Sequence, residues 1–260
     1  RDNLLKSFPE KSLDELIRIE KKFYHFFCDY FVETLKLTSI SKKEMRKRMV
    51  FRGVEQVEQA VHEEGHNFIF LYLGHYCNWE WIASLPYTIS PSIHCAQIYH
   101  PLYNKAVDRF FLKLRNQFGG ECIPMKNTLR RVIELKREKR PTMIGFISDQ
   151  LPKWNSMHFF VPFLHRETAV FTGAEQIGRQ VKAVYFFADI IRPRRGYYEC
   201  TFRRMEIPEV NRTEYDMTAM FMEQLEQMIR KAPQYWLWTH KRWKRTKEEW
   251  LRRQQDSTIK

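Results

Sequence analysis

The sequence FIFLYLGHYCNWE, at residues 68–80, decides how this chain is expected to fold. Its first six residues form an unbroken apolar run with the length of a buried strand. Gly74 then permits a sharp turn, and Asn78 is a residue type that commonly caps the start of a helix. The stretch therefore predicts a buried strand, a turn that carries His75, and a helix whose first turn carries Glu80.

Strands alternate with helices on both sides of this unit. Predicted strands cover Phe68–Leu73, Ile93–Tyr99, Cys122-Ile123, Thr142–Ser148, Ala183–Ile191 and Tyr197–Met205, and predicted helices cover Leu13–Leu37, Val54–Glu64, Asn78–Leu85, Tyr103–Phe118, Leu129–Glu138, Phe171–Gln180 and Tyr215–Arg230. The alternation predicts an α/β fold, an αβα sandwich in which helices flank a mostly parallel central sheet. We interpret residues 1–260 as one domain, with a helical N-terminal part over residues 1–52 and a core over residues 66–245.

The composition is that of a globular protein with a large positive charge. Hydrophobic residues make up 43% and aromatic residues 15%, and 44 basic against 31 acidic residues give a formal net charge of +13. Such a surplus predicts an anionic partner: nucleic acid, a phospholipid surface, a phosphorylated ligand or an acidic protein. The 5 cysteines are scattered and form no CxxC pair, which argues against a zinc site and against a disulfide framework. No apolar run approaches the roughly 20 residues that span a bilayer.

Two N-terminal segments have features of a membrane-facing surface. The amphipathic helix predicted over Leu13–Leu37 carries an aromatic-rich apolar stripe behind a capping box of Ser12 and Glu15. The segment Ser41–Arg52 that follows is strongly basic. The stripe fits either packing on the core or contact with a membrane, and the basic segment fits either a solvated helix face or contact with lipid headgroups.

His75 and Glu80 have the chemistry of a general base and its orienting carboxylate. Residues five apart in one continuous helix point away from each other, but a turn before the helix would let these side chains meet. A carboxylate on one imidazole nitrogen fixes the tautomer and leaves the other nitrogen free to take a proton. His75, His100 and Asp149 each follow a predicted strand, so they are expected to converge at one edge of the sheet. The alternatives are a pair that only caps the helix, and Cys77 as a nucleophile beside His75.

Short sequence blocks, of which the one with His75 and Glu80 is the first, occur in a recognisable order. They are Leu73–Glu80, Ile98–Leu102, the set Asp108, Arg115 and Gly119, then Gly145–Gln150, Phe160–Phe163 with Thr172-Gly173, and Pro233–Lys244. Over nearly the whole chain they resemble the bacterial lipid A late acyltransferases, the lauroyl/myristoyl transferase family with its HX4(D/E) signature. His100 stands where this family usually has arginine. The resemblance implies a glycerolipid-acyltransferase-like fold.

The resemblance also implies a membrane-associated acyltransferase that needs no metal and no cofactor. A fatty acyl chain would pass from an acyl thioester, commonly acyl carrier protein, to a hydroxyl of a lipid A precursor or related glycolipid. His75 would be the general base and Glu80 its orienting group, Arg115 would stabilise the oxyanion, and Asp149 would position a catalytic or binding group. The expected substrate-binding residues are Asn78, His100, Gln150, Thr172, His240, Arg242 and Lys244.

The expected location is the cytoplasmic face of the inner membrane, with the chain either peripheral or anchored by a segment that precedes Arg1. Lipid A phosphates and acyl carrier protein are both acidic, which suits the charge of +13. The alternatives are acylation of an aminolipid, a phosphatidylinositol mannoside or a lysophospholipid, and hydrolysis of the acyl thioester. A non-catalytic lipid-binding protein and a nucleic-acid-binding domain also stay open, although no nucleic-acid motif is present.

Overall fold

Strands and helices alternate along the chain, as the sequence predicts. The computed structural model describes residues 1–207 and 214–258, so positions 208–213 of the predicted core lie outside the described residues. Over the described ranges the strands are β1 (Met49–Arg52), β2 (Phe68–Leu73), β3 (His94–Tyr99), β4 (Glu121–Pro124), β5 (Thr142–Ile147), β6 (Phe160–Phe163), β7 (Arg166–Ala169), β8 (Val184–Arg194) and β9 (Tyr197–Met205). The α-helices are α1 (Asp2–Ser7), α2 (Leu13–Lys36), α3 (Lys42–Arg48), α4 (Val54–His62), α5 (Lys105–Asn116), α6 (Thr128–Glu138), α7 (Gly173–Val181), α8 (Asp216–Lys231) and α9 (Lys247–Thr258).

The central sheet has 7 strands in the order β1-β9-β8-β2-β5-β3-β4. Strands β8, β2, β5, β3 and β4 run parallel to one another, and β9 turns back antiparallel to β8. All six residues of β2 are buried, because neighbouring strands cover both of its edges and helices cover its faces. This explains why β2 is continuously apolar, and it confirms the predicted mostly parallel α/β sandwich.

The structure differs from the prediction at several short elements. Residues 49–52, predicted as part of a helical segment, form β1 and pair in parallel with β9, so the N-terminal part ends inside the sheet. The predicted helix after β2 is a 3-10 helix over Trp79–Tyr87, the tighter form with i→i+3 bonds. Pro86 lies inside it and lacks the N–H that an α-helix interior would need. The β6–β7 hairpin, α1 and α9 were not predicted.

Helix α2 packs on the core with one face and holds the start of the 3-10 helix. Its capping box is present as predicted. The Tyr30 ring stacks on Trp79 with 4.4 Å between ring centroids. The buried Glu33 carboxylate accepts hydrogen bonds from the Asn78 amide and from the Tyr198 hydroxyl, each at 2.7 Å. These contacts tie α2 and β9 to the turn that follows β2.

Candidate active site

The turn after β2 and the turn after β5 bring His75 and Asp149 together. Leu73 and Ile147, the last residues of these paired strands, are partners in the sheet, and each turn places its polar side chain two residues later. His75 Nδ1 lies 2.6 Å from Asp149 Oδ1, and the His75 backbone N–H donates to Asp149 Oδ2 at 2.9 Å. Asp149 therefore fixes both the imidazole ring and the backbone that carries it.

The Asp149 carboxylate is buried and remains ionised. Trp236 Nε1–H donates a second hydrogen bond to its Oδ2, at 2.8 Å. Burial acts to raise the pKa of Asp149, but the charge of His75 and the hydrogen bonds from His75 and Trp236 outweigh it and hold the pKa at about 2. An ionised carboxylate keeps the imidazole proton on Nδ1, which leaves Nε2 free to act as a base.

The segment after α8 fastens the His75 turn to the rest of the protein. Leu237 N–H donates to the His75 carbonyl at 3.1 Å, and Cys77 N–H donates to the Tyr235 carbonyl at 2.9 Å. Between these two bonds the Trp236 side chain enters the core and reaches Asp149. Because the backbone is held on both sides, the His75 ring has little freedom to leave the carboxylate.

Gly74 is needed for space and not for an unusual backbone angle. A Cβ atom at this position would lie 2.7 Å from Leu225 Cδ1 and 3.4 Å from Asp149 Oδ2. The left-handed residue of the turn is Cys77, with φ of 51°. Any side chain at position 74 would therefore have to displace the end of the Leu225 side chain, which packs there from α8.

Cys77 does not fit the alternative role of a nucleophile. Its side chain is fully buried, and burial raises the pKa of its thiol well above the ordinary value. A buried thiol in this state forms little thiolate and cannot reach a substrate.

Glu80 pairs with Arg115 and does not orient His75. Arg115 Nε and Nη2 donate to the two Glu80 carboxylate oxygens at 2.8 and 2.7 Å, a bidentate pair between the 3-10 helix and α5. Burial acts to lower the pKa of Arg115, but the hydrogen bond and charge of Glu80 raise it overall. The prediction that Glu80 orients the base is therefore wrong, because the 3-10 helix turns Glu80 towards α5 and the sheet register gives that position to Asp149.

An apolar cavity of about 50 Å³ lies under the 3-10 helix. Its walls come from the 3-10 helix and from strands β2, β3 and β5, and include Leu73, Ile82, Met143 and Ile147. Trp79 forms part of the wall and packs edge-to-face on the His75 ring, with 5.1 Å between centroids. Trp79 thus contacts both the His75 imidazole and the apolar cavity.

Comparison with known proteins identifies the fold's relatives. The family described as bacterial lipid A biosynthesis acyltransferase matches residues 1–245. The chain belongs to this family. It is 25% identical over 240 residues to a lipid A biosynthesis acyltransferase of Haemophilus influenzae, which covers 91% of this chain and 72% of that protein. The predicted resemblance is confirmed, and the protein is an acyltransferase.

Two further predicted residues of the acyltransferase lie near the base. Gln150 Nε2 is 3.3 Å from His75 Nε2, the nitrogen that is free of the carboxylate. Burial and the nearby Arg242 charge lower the pKa of His240 to about 4. The charge of Asp149 acts to raise this pKa, and the charge of His75 acts to lower it. His240 is thus neutral at physiological pH.

Arg242 is a buried cation with spare donors. Its Nη2 donates to the Ala169 carbonyl, while Nε and Nη1 have no partner in the described part of the protein. Burial lowers the pKa of Arg242 to about 10, partly offset by the charge of Asp149. The site therefore holds a positive charge behind the His75–Asp149 pair.

The remaining predicted substrate-binding residues lie elsewhere. Asn78 is fully buried, caps the 3-10 helix by accepting from Trp81 N–H, and donates to Glu33. Thr172 is buried and bonds His158. We therefore correct both to structural roles, since neither presents a polar group to a substrate. His100 follows β3, which lies two strands from β2 in the sheet. Its side chain is exposed and bonds the carbonyl of Pro101, so it does not join the His75–Asp149 pair. Lys244 is also exposed.

Sequence reasoning missed Trp236 as part of the site. It lies in the aromatic block before His240, and a buried indole N–H usually has an acceptor, which is the signal that could have pointed to a carboxylate. Among residues 1–207 and 214–258, no group of three His, Cys, Asp or Glu side chains is placed to hold a metal ion. In the same ranges no helix combines the length and apolar character needed to cross a bilayer.

Replacing Glu80 with glutamine tests the role of its pair with Arg115. We expect the variant to lose about 3–5 kcal/mol of unfolding free energy, because breaking a buried pair leaves one charge without its partner. Glu80→Gln combined with Arg115→Met should lose less than the two single changes added. The measurement is urea unfolding of the four proteins.

The matched control is Glu44→Gln, which breaks a more exposed pair with Arg48 on α3 and should lower stability far less than Glu80→Gln. Unchanged stability of Glu80→Gln together with complete loss of acyl transfer would contradict a structural role and return Glu80 to the chemistry.

Proposed function

We propose that the protein transfers a fatty acyl chain from an acyl thioester, carried by acyl carrier protein, to a hydroxyl of a lipid A precursor. The proposal rests chiefly on His75, whose Nδ1 is held by the ionised Asp149, so that Nε2, which faces the Gln150 amide, is the nitrogen left to take a proton. The reaction would take place at the cytoplasmic face of the inner membrane.

The chemistry follows from the two imidazole nitrogens. His75 Nε2 takes the proton of the acceptor hydroxyl as its oxygen attacks the thioester carbonyl. The tetrahedral intermediate then expels the thiolate, which receives the proton from His75, so that an ester and a free thiol are formed. Asp149 stabilises the imidazolium between the two steps, as its hydrogen bond to Nδ1 allows. Arg115 keeps one guanidinium nitrogen beyond its pair with Glu80, and backbone N–H groups are the other candidates for the oxyanion.

The cavity supports a fatty acyl donor. Most of its lining side chains are apolar, and the carboxylate of Glu121, which also lines it, is bound by His94 and Arg131. Burying a methylene group in such a space contributes about 0.8 kcal/mol, so an alkyl chain gains affinity with each carbon that enters. At about 50 Å³ the cavity takes only a short part of such a chain, next to Trp79.

The charges behind the base support an acidic acceptor and an acidic donor protein. Two nitrogens of the buried Arg242, Nε and Nη1, have no partner among the described residues, and the exposed Lys244 follows it. Lys244 is the exposed cation that would contact a phosphate of the acceptor, whereas the buried Arg242 acts on the site through its charge. The relative from Haemophilus influenzae is named for lipid A biosynthesis, which favours a lipid A precursor over other lipids.

An acceptor-dependent transfer assay tests the proposed function. The purified protein is incubated with acyl carrier protein that bears a radiolabelled acyl chain as a thioester, with and without a phosphorylated lipid A precursor. The lipids are then analysed by mass spectrometry. We expect one acyl chain on the precursor and consumption of the thioester only when the precursor is present. An aminolipid, a phosphatidylinositol mannoside and a lysophospholipid serve as competing acceptors. Release of free fatty acid at the same rate without any acceptor would instead identify a thioester hydrolase.

A further inference from the structure

Helix α5 and the loop before it expose large apolar side chains to solvent. Tyr103 is fully exposed, Leu102 and Val107 are each 41% exposed, and Phe110 is 37% exposed. Leu114 is the only buried residue of this 12-residue helix. The N-terminal half of α5 therefore projects an apolar face that no described part of the chain covers.

The projecting segment is ordered by its own hydrogen bonds. Asn104 caps α5 by accepting from the N–H groups of Ala106 and Val107. Asp108 Oδ1 accepts from Leu102 N–H at 2.7 Å, which ties the loop back onto the helix. The loop and the helix therefore form one ordered surface, from which Tyr103 projects.

The same helix also carries a stripe of basic side chains. Lys105, Arg109 and Lys113 recur at every fourth position and form one stripe along α5. In the part of the chain that the structure describes, none of the three has an acidic partner within ion-pair distance. A helix that exposes both apolar side chains and unpaired cations is suited to the interface of an anionic bilayer.

This surface borders the active site. Arg115, in the last turn of α5, pairs with Glu80 at the start of the 3-10 helix. On the other side, Tyr30 of α2 stacks on Trp79, and the neighbouring Phe31 is exposed. Tyr24 and Leu35 continue the exposed apolar stripe of α2. The two uncovered apolar faces thus lie on elements that contact the wall of the site.

We propose that residues 102–104, α5 and the outer stripe of α2 form the surface by which the protein lies on an anionic phospholipid bilayer, with the His75 site facing the lipid. The proposal rests on the proposed function, because an acceptor lipid would then enter the site directly from the membrane. We favour a bilayer over a protein partner because Tyr103 is fully exposed and the same helix carries three cations without an acidic partner among the described residues.

Vesicle binding tests the surface without requiring activity. The full chain is sedimented with vesicles of phosphatidylethanolamine and phosphatidylglycerol, at low and at high salt. We expect Tyr103→Ser with Phe110→Ser, and separately Lys105→Glu with Arg109→Glu, each to weaken binding by about tenfold or more. Binding of the wild type should also fall with salt and on vesicles of phosphatidylcholine alone.

Matched variants elsewhere serve as controls. Arg137→Glu with Arg140→Glu reverses two exposed charges that precede β5, at the amino end of this strand, and Leu251→Ser removes an exposed apolar side chain of α9. Both should bind vesicles as the wild type does. Thermal unfolding confirms that every variant is folded.

Two acceptor forms separate this proposal from the proposed function. The α5 variants should transfer acyl chains at the wild-type rate to an acceptor in detergent micelles, and should lose transfer to the same acceptor embedded in vesicles. Vesicle binding by the α5 variants equal to that of the wild type would overturn the proposed surface, as would unchanged vesicle binding together with lost binding of acyl carrier protein. No transfer by the wild type in either form would overturn the proposed function while leaving the vesicle result valid.

Discussion

Replacement of His75 by asparagine is expected to slow acyl transfer by about 10²–10⁴-fold, because the reaction loses its general base. An asparagine amide can still donate towards Asp149 Oδ1, whereas alanine would leave that oxygen of a buried carboxylate without its donor. The asparagine variant therefore isolates the chemistry from stability. His75→Ala should lose as much activity and additionally unfold more easily.

Initial rates of transfer to the acceptor, together with urea unfolding of both variants, check this expectation. His62→Ala is the matched control, since His62 is exposed at the end of α4 and its imidazole bonds the Ser92 hydroxyl. It should keep wild-type rates. A folded His75→Asn protein that retains more than about a tenth of wild-type transfer would exclude His75 as the base.

Replacement of Asp149 by asparagine is expected to slow transfer by about 10³–10⁴-fold, for a reason that the hydrogen bonds specify. Oδ2 accepts two N–H groups, from the His75 backbone and from Trp236, so an asparagine at this position must place its oxygen there. Its NH₂ group then faces His75 Nδ1 and donates to it. The imidazole proton is forced onto Nε2, and the nitrogen that should accept the substrate proton is already protonated.

Asp149→Asn should also change how stability depends on pH. The pKa of Asp149 is lowered from 3.8 to about 2, so the ionised carboxylate stabilises the fold above pH about 4, and this contribution is lost as the pH falls through about 2. Because Asp149→Asn lacks this carboxylate, acid unfolding should show that its stability falls less than that of the wild type between pH about 4 and about 2. Trp236→Phe is the matched control: it keeps the carboxylate, removes one donor and should lose less activity than Asp149→Asn. Equal rates for Asp149→Asn and the wild type would contradict the orienting role.

Local patterns were sufficient where the determining interaction is local. The apolar run of β2 predicted its bounds, and Ser12 and Glu15 predicted the capping box of α2, because burial pattern and capping depend on residues a few positions apart. The short strand β1 escaped the same reasoning. Its residues follow a basic helical pattern, and they are a strand only because β9 offers them an open edge.

Sequence by itself determined the family, the mostly parallel α/β fold and the placement of His75 directly after a buried strand. Tertiary structure alone decided which carboxylate serves that histidine. Asp149 is 74 residues from His75, and the parallel pairing of β2 with β5 brings the two together, while Glu80, five residues away, is turned towards Arg115. The physical reason is that strand order and register set side-chain neighbours across a sheet, whereas spacing along the chain sets them only within one turn of a helix.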